Sequence, residues 1–210
     1  GAYGVELKDV FHSLEAVEMS TGNVHSFSNS DCQFGYRESV FKRKLKGQFI
    51  ISSVTLKLSK QPNINTSYGA IEAELERLGV SEPSIQDVSK AVINIRQSKL
   101  PDPKKLGNSG SFFKNPVIPT SQYNELKRKH SDIPGYSAGE ETKLAAGWLI
   151  EQCGWKGKIV GNTGSHAQQA LVLVNYGNAT GVEIFNLSAQ IMQSVYDTFG
   201  VQLEREVNVY

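Results

Sequence analysis

Only two cysteines occur in the 210 residues, Cys32 and Cys153. They lie too far apart in the chain to suggest a metal knuckle or a redox pair, so the expectation is two free thiols in a reducing cytoplasm. A dominant charge is missing as well. The 22 Lys and Arg against 21 Asp and Glu leave a formal net charge of +1, which lacks the electrostatic footprint of a nucleic-acid binder. The basic run at residues 42–46 is the local exception, and it reads as a solvated hairpin tip. No apolar stretch approaches the ~20 residues of a membrane helix, and no signal-like segment is present. His12, His25 and His130 have no spaced partners, so no metal site is expected. Residues 161–164, Gly-Asn-Thr-Gly, lack the Lys-Ser/Thr ending of a phosphate loop and the longer glycine pattern of a dinucleotide fingerprint.

What is present is ordinary globular material, 39% hydrophobic and 20% charged, with enough length for one large domain or two small ones. The first hundred residues read mainly as β. Alternation over 14–19, a turn at Thr21-Gly22-Asn23 and a return strand from Val24 predict a hairpin. Residues 49–58, rich in β-branched side chains, form the strongest strand. A helix over 70–78 closes on Gly79. A second helix follows Ser84, with Asp87 completing a capping box and Val88, Ala91, Val92 and Ile95 on one face. It ends near Lys99, because Pro101 and Pro103 cannot continue it.

Beyond that proline pair the pattern is mixed. A short strand at 111–114, helices over 122–129 and 143–153 and a strand at 170–174 are predicted. A long helix over 182–199 presents Ile184, Leu187, Ile191 and Val195 on one face and stops at Gly200. Residues 201–210 alternate like a strand with no turn residue to close it, and the chain opens on Gly1-Ala2-Tyr3-Gly4 without methionine. Both ends therefore look cut from something larger. The reading is an α+β fold of two lobes: 1–100, then 101–201, with 202–210 a strand leaving the second lobe. No internal repeat and no low-complexity segment interrupts it.

The most informative stretch is 107–116, Gly-Asn-Ser-Gly-Ser-Phe-Phe-Lys-Asn-Pro. Its small residues let a backbone approach a ligand closely, and Ser111 at the mouth of a strand offers one O–H donor. On composition alone the favoured reading is a glycine-rich hairpin with a buried aromatic pair. Its wording, however, closely resembles the serine motif of the UDP-N-acetylenolpyruvoylglucosamine reductase (MurB) family. The resemblance extends through Phe34-Gly35-Tyr36-Arg37-Glu38-Ser39, Tyr68-Gly69, Lys99-Leu100-Pro101-Asp102-Pro103 and Lys143-Leu144-Ala145-Ala146-Gly147-Trp148. It continues through His166, residues 168–173 and 203–207, and the Tyr68 and Tyr136 segments match the long, type I branch.

The resemblance implies a cytoplasmic bacterial flavoprotein of peptidoglycan synthesis, in which NADPH reduces FAD and the flavin reduces UDP-N-acetyl-enolpyruvoylglucosamine to UDP-N-acetylmuramate. Negative charge builds on an enol-like carboxylate, so a cation, a donor and an acid must sit together. By resemblance, Ser111 is the proton donor, Arg37 the carboxylate partner and Glu206 the acid opposite. Tyr68, Lys99, Asn115 and Tyr136 are implied as the diphosphate clamp, with Lys156 and Gln169 beside it. The role of His166 stays unassigned. Gly1, Ala2, Tyr3 and Gly4 would touch only part of the flavin, whose main binding domain lies outside this chain. Taken singly, Arg37 and Glu206 also read as surface ion-pair residues, and Tyr68 and Tyr136 as half-buried aromatics. The alternative reading is a stand-alone nucleotide-sugar binding module without flavin. No nucleic acid, membrane or obligate protein partner is expected, although exposed sheet edges invite dimerisation.

Overall fold

Alternation and helical stripes of the kind just read close three separate hydrophobic cores among the described residues. The computed structural model describes every residue except Ala2 and Tyr210. It divides into one unit over Gly1–Ile95 and another over Arg96–Tyr210. Among the described residues no helix is long and apolar enough to cross a membrane.

In the first unit, β1 (Phe11–Glu18) runs between β2 (Val24–Ser28) and β3 (Phe49–Leu56), antiparallel to both. The register sets Leu14 opposite Phe27 on one side and Val54 on the other. Leu14, Ala16, Phe11 and Cys32 form a small core, closed by edge-on rings such as Phe27 against Phe41 at 5.0 Å. Cys32 ends a one-turn helix, α1 (Asn29–Cys32), whose Ser28–Asp31 capping box forms from both sides. A second small core holds Ile71 and Leu75 of α2 (Gly69–Arg77) with Ala91 and Ile95 of α3 (Ile85–Lys99). The predicted Ser84–Asp87 box is present: the Ser84 N–H donates to Asp87 at 2.9 Å and the Asp87 N–H to Ser84 Oγ at 3.2 Å.

The second unit has two antiparallel sheets. One runs β4 (Gly107–Ser111), β10 (Val172–Asn175), β9 (Thr163–Ser165), β8 (Ile159–Val160). The other runs β5 (Val117–Pro119), β7 (Glu141–Leu144), β6 (Gly135–Ala138). Around them pack α4 (Thr120–Lys129), α5 (Ala146–Gln152) and α6 (Gly181–Phe199), the last against α5, β9 and β10. The stripe Leu187, Ile191, Val195, Phe199 is buried as its spacing requires. A Thr180–Glu183 capping box opens α6, and Gly200, left-handed at φ 65°, ends it.

Three expectations fail locally. Lys143 and Leu144 begin no helix: they belong to β7, and α5 starts at Ala146. No local residue caps α5; Asn115 does so from a distance, its Oδ1 accepting the Ala146 N–H at 3.0 Å. The strand expected at 111–114 lies earlier, with Ser111 as its last residue. Among the described residues 201–209, the only pairing is an isolated bridge, Phe113 to Arg205. Their alternation is real but serves the core, since Val201 and Leu203 are buried within the second unit.

Candidate functional site

The serine motif is ordered as the final strand of a sheet. Ser111 pairs with Val172 and Asn108 with Val174, with a register shift between them. Gly110 absorbs that shift at φ 73°, a backbone region where a side chain would be strained. Asn108 Oδ1 accepts the Gly110 N–H at 3.0 Å, and its Nδ2 donates to the Leu106 carbonyl at 2.8 Å. Bulges of this kind re-aim a side chain at the end of a strand. Here the bulge presents Ser111 exposed while Phe112 and Phe113, edge-on at 5.4 Å, are buried behind it.

Glu206 comes to this strand end through the main chain. The Phe112 N–H donates to the Leu171 carbonyl at 2.7 Å, and the Phe112 carbonyl accepts the Glu206 N–H at 2.8 Å. One step along, the Lys114 N–H donates to the Glu204 carbonyl at 2.9 Å and the two side chains form an ion pair at 2.5 Å. Ser111 and Glu206, remote in sequence, therefore belong to adjacent backbone segments. Two grooves meet beside Ser109. One, about 770 Å³, is lined by Arg96, Lys104, Asn108 and Gly110. The other, about 930 Å³, is lined by Phe112, Ile184, Phe185 and Val207.

The remaining residues of the second unit are dispersed over it. Asn115 spends its carbonyl oxygen on α5 as described. Gln169 Oε1 accepts the Leu171 N–H at 3.4 Å, in the same tight turn where the His166 N–H donates to Val172. Lys156 is paired with Glu151 at 2.8 Å. Tyr136 stands exposed on β6, opposite Lys143, and Lys99 is exposed at the end of α3. Arg205 is held close to the motif and Lys114 lies within it, yet the sequence offered no separate signal for either.

The first unit brings together two further pairs. Arg37 Nη1 donates to the Gly1 carbonyl at 3.0 Å, and Arg37 itself is left-handed at φ 55°, uncommon outside glycine. Tyr3 and Tyr68 meet edge-on at 5.3 Å. Gly4 sits at φ 78°, where a side chain would be strained, and a Cβ there would touch Asn65 Nδ2 at 3.6 Å. Ala2 lies outside the described residues. The cavity beside Arg37 measures about 180 Å³, below the ~300 Å³ at which small-molecule sites begin. A glycine backbone without side chains and a cation suit one edge of a dinucleotide such as FAD. They do not make a cradle for the whole of it.

The family model for "UDP-N-acetylenolpyruvoylglucosamine reductase, C-terminal domain" matches residues 102–210. The chain belongs to this family. It is 56% identical over 211 residues to the UDP-N-acetylenolpyruvoylglucosamine reductase of Flavobacterium johnsoniae, covering 100% of this chain and 63% of that protein. To the enzyme of the same name from Pseudomonas aeruginosa it is 47% identical over 211 residues, covering 100% and 62%. The chain thus spans about 62% to 63% of the length of these curated relatives. The crystal structure of UDP-N-acetylenolpyruvylglucosamine reductase from Thermus caldophilus superposes with a TM-score of 0.59 at 21% identity, over 100% of this chain and 56% of that one. At that identity it speaks for the α+β fold alone.

Proposed function

We propose that this chain carries the substrate-reducing part of a bacterial cytoplasmic UDP-N-acetylenolpyruvoylglucosamine reductase, which yields UDP-N-acetylmuramate for peptidoglycan. The observation that carries the reading is the bulged strand end, which presents Ser111 outward and ties its neighbour Phe112 to Glu206. In the whole protein, FAD reduced by NADPH supplies the hydride. The groups of this chain do the rest. Ser111 Oγ holds the proton delivered to the carbon beside the substrate carboxylate; its weak acidity suffices because that carbon has become strongly basic. Arg37 neutralises the carboxylate with its planar fork. Glu206 polarises the intermediate from the neighbouring segment. Tyr68, Lys99, Asn115 and Tyr136 hold the diphosphate, whose oxygens suit lysine, amide and phenol donors, with Lys156 and Gln169 at its margin. Gly1 to Gly4 border the flavin.

The test is stopped-flow measurement of the two half-reactions in the full-length protein. Ser111→Ala is expected to suppress reduction of the sugar nucleotide by about 10²- to 10⁴-fold, the usual worth of a positioned proton donor. Flavin reduction by NADPH should stay close to normal. Equal loss in both half-reactions would assign Ser111 to shaping the site and sink its role as donor.

A further inference from the structure

Arg205 has no part in the function proposed above, yet it is a specifically held cation near the motif. Its Nε donates to Ser188 Oγ at 2.7 Å, and its guanidinium lies 4.1 Å from the centre of the Phe185 ring. Ser188 is fully buried on α6. Its own proton is committed to the Phe185 carbonyl at 2.6 Å, so its oxygen can serve Arg205 only as an acceptor. The direction of the bond is therefore fixed. A planar guanidinium with one directed hydrogen bond and one ring face beneath it has little freedom left to rotate.

The main chain of Arg205 is pinned just as firmly, on the other side. It bridges Phe113, flanked by the Lys114–Glu204 and Glu206–Phe112 hydrogen bonds. Residues 204–206 are thus clamped between the serine strand and α6, and they belong to no regular strand that would hold them otherwise. Adjacent side chains of an extended segment point to opposite faces. Turning Arg205 onto α6 therefore turns Glu206 away from it.

We propose that Arg205 is a positioning residue: through Ser188 and Phe185 it fixes the segment that carries Glu206, and so sets the place of Glu206 for substrate reduction. This rests on the function proposed above, and its test has a part that does not. On the 210-residue chain, Arg205→Met should speed hydrogen exchange at the Glu206 amide about tenfold, while amides in the middle of α6 keep their protection. Ser188→Ala, which leaves the arginine in place, should do the same to a smaller extent. At the Glu206 amide the double variant should be no worse than Arg205→Met, because the Arg205–Ser188 hydrogen bond is already lost in each single variant.

In the full-length enzyme, Arg205→Met should slow sugar-nucleotide reduction about ten- to a hundredfold through misplacement alone, chiefly in kcat. Flavin reduction should change less than twofold. Unchanged exchange at Glu206 overturns the proposal whatever the kinetics show. So does fully independent addition of the two single effects, or a loosened Glu206 amide with a normal rate of substrate reduction. Failure of the reductase reading itself would appear separately, in the Ser111→Ala half-reactions.

Discussion

The two units solve the same problem of burial to very different depths. In the second, 18 buried apolar residues from Phe112 to Leu203 form one continuous cluster. In the first, the described residues give two separate clusters of four, and β3 stays exposed along most of its length, with Ile50 at 59% and Val54 at 49%. The difference matters for chemistry. The strand end that presents Ser111 and is bonded to Glu206 has a rigid support behind it, since Phe112 and Phe113 root it in the large core. Arg37 and Tyr68 stand on thinner support, where capping and hydrogen bonding contribute a larger share of local order.

Truncating a core leucine in each unit is the strongest way to break this contrast. Leu149→Ala leaves a cavity walled on all sides and should cost near the top of the ~2–5 kcal/mol range for such changes. Leu14→Ala, next to an incompletely covered sheet, can relax and should fall near the bottom of it. Both tryptophans, Trp148 and Trp155, belong to the second unit. Denaturation followed by their fluorescence should therefore shift strongly with Leu149→Ala and hardly with Leu14→Ala, while far-ultraviolet circular dichroism registers both. Equal shifts in fluorescence would mean the two cores melt as one.

The contrast also explains what could be read from the sequence. Features written in a few consecutive residues were legible: the hairpin at Thr21–Asn23, the Ser84–Asp87 box and the stripe of α6 ending on Gly200. Features set by distant partners were not. The Lys143–Leu144 strand looked helical because the cap of α5 is Asn115, on another segment. The serine strand sat a few residues early because the bulge at Gly110 exists only against β10. Residues 201–210 alternate as a strand would, but Val201 and Leu203 answer to the core of the second unit. Ser111 and Glu206 were singled out through family wording; the main-chain bond from Glu206 to Phe112 was not legible. Arg205 was silent because its partners, Phe185 and Ser188, lie on α6.

Helix caps offer a middle-sized test. Thr180→Ala removes the acceptor for the Glu183 N–H at the start of α6, and Ser84→Ala does the same for Asp87 at the start of α3. Each should cost about 1 kcal/mol. The consequence should differ: the α6 change is expected to shift the tryptophan transition, and the α3 change to appear by circular dichroism only. A tryptophan shift with Ser84→Ala would weaken the division of labour just drawn.

The smallest expected effect is electrostatic and belongs to the first unit. Glu74 receives two hydrogen bonds from Arg77, at 2.8 and 2.7 Å, and one from Asn94 of α3 at 2.7 Å. The Arg77 hydrogen bonds, then that from Asn94, hold its carboxyl down at about 2, against an ordinary value of 4.5. The folded state therefore favours the ionised form. Its contribution is fully present above about pH 4.5 and is lost as the pH falls towards 2 and the carboxylate takes up its proton. Glu74→Gln should flatten the acid limb of the circular-dichroism transition over that window and leave the tryptophan transition unmoved. Arg77 stands in water although Glu74 is largely covered, so the change should be modest and should shrink in high salt. An acid limb equally steep in Glu74→Gln would show that the link between α2 and α3 rests on Ile71, Leu75, Ala91 and Ile95 alone.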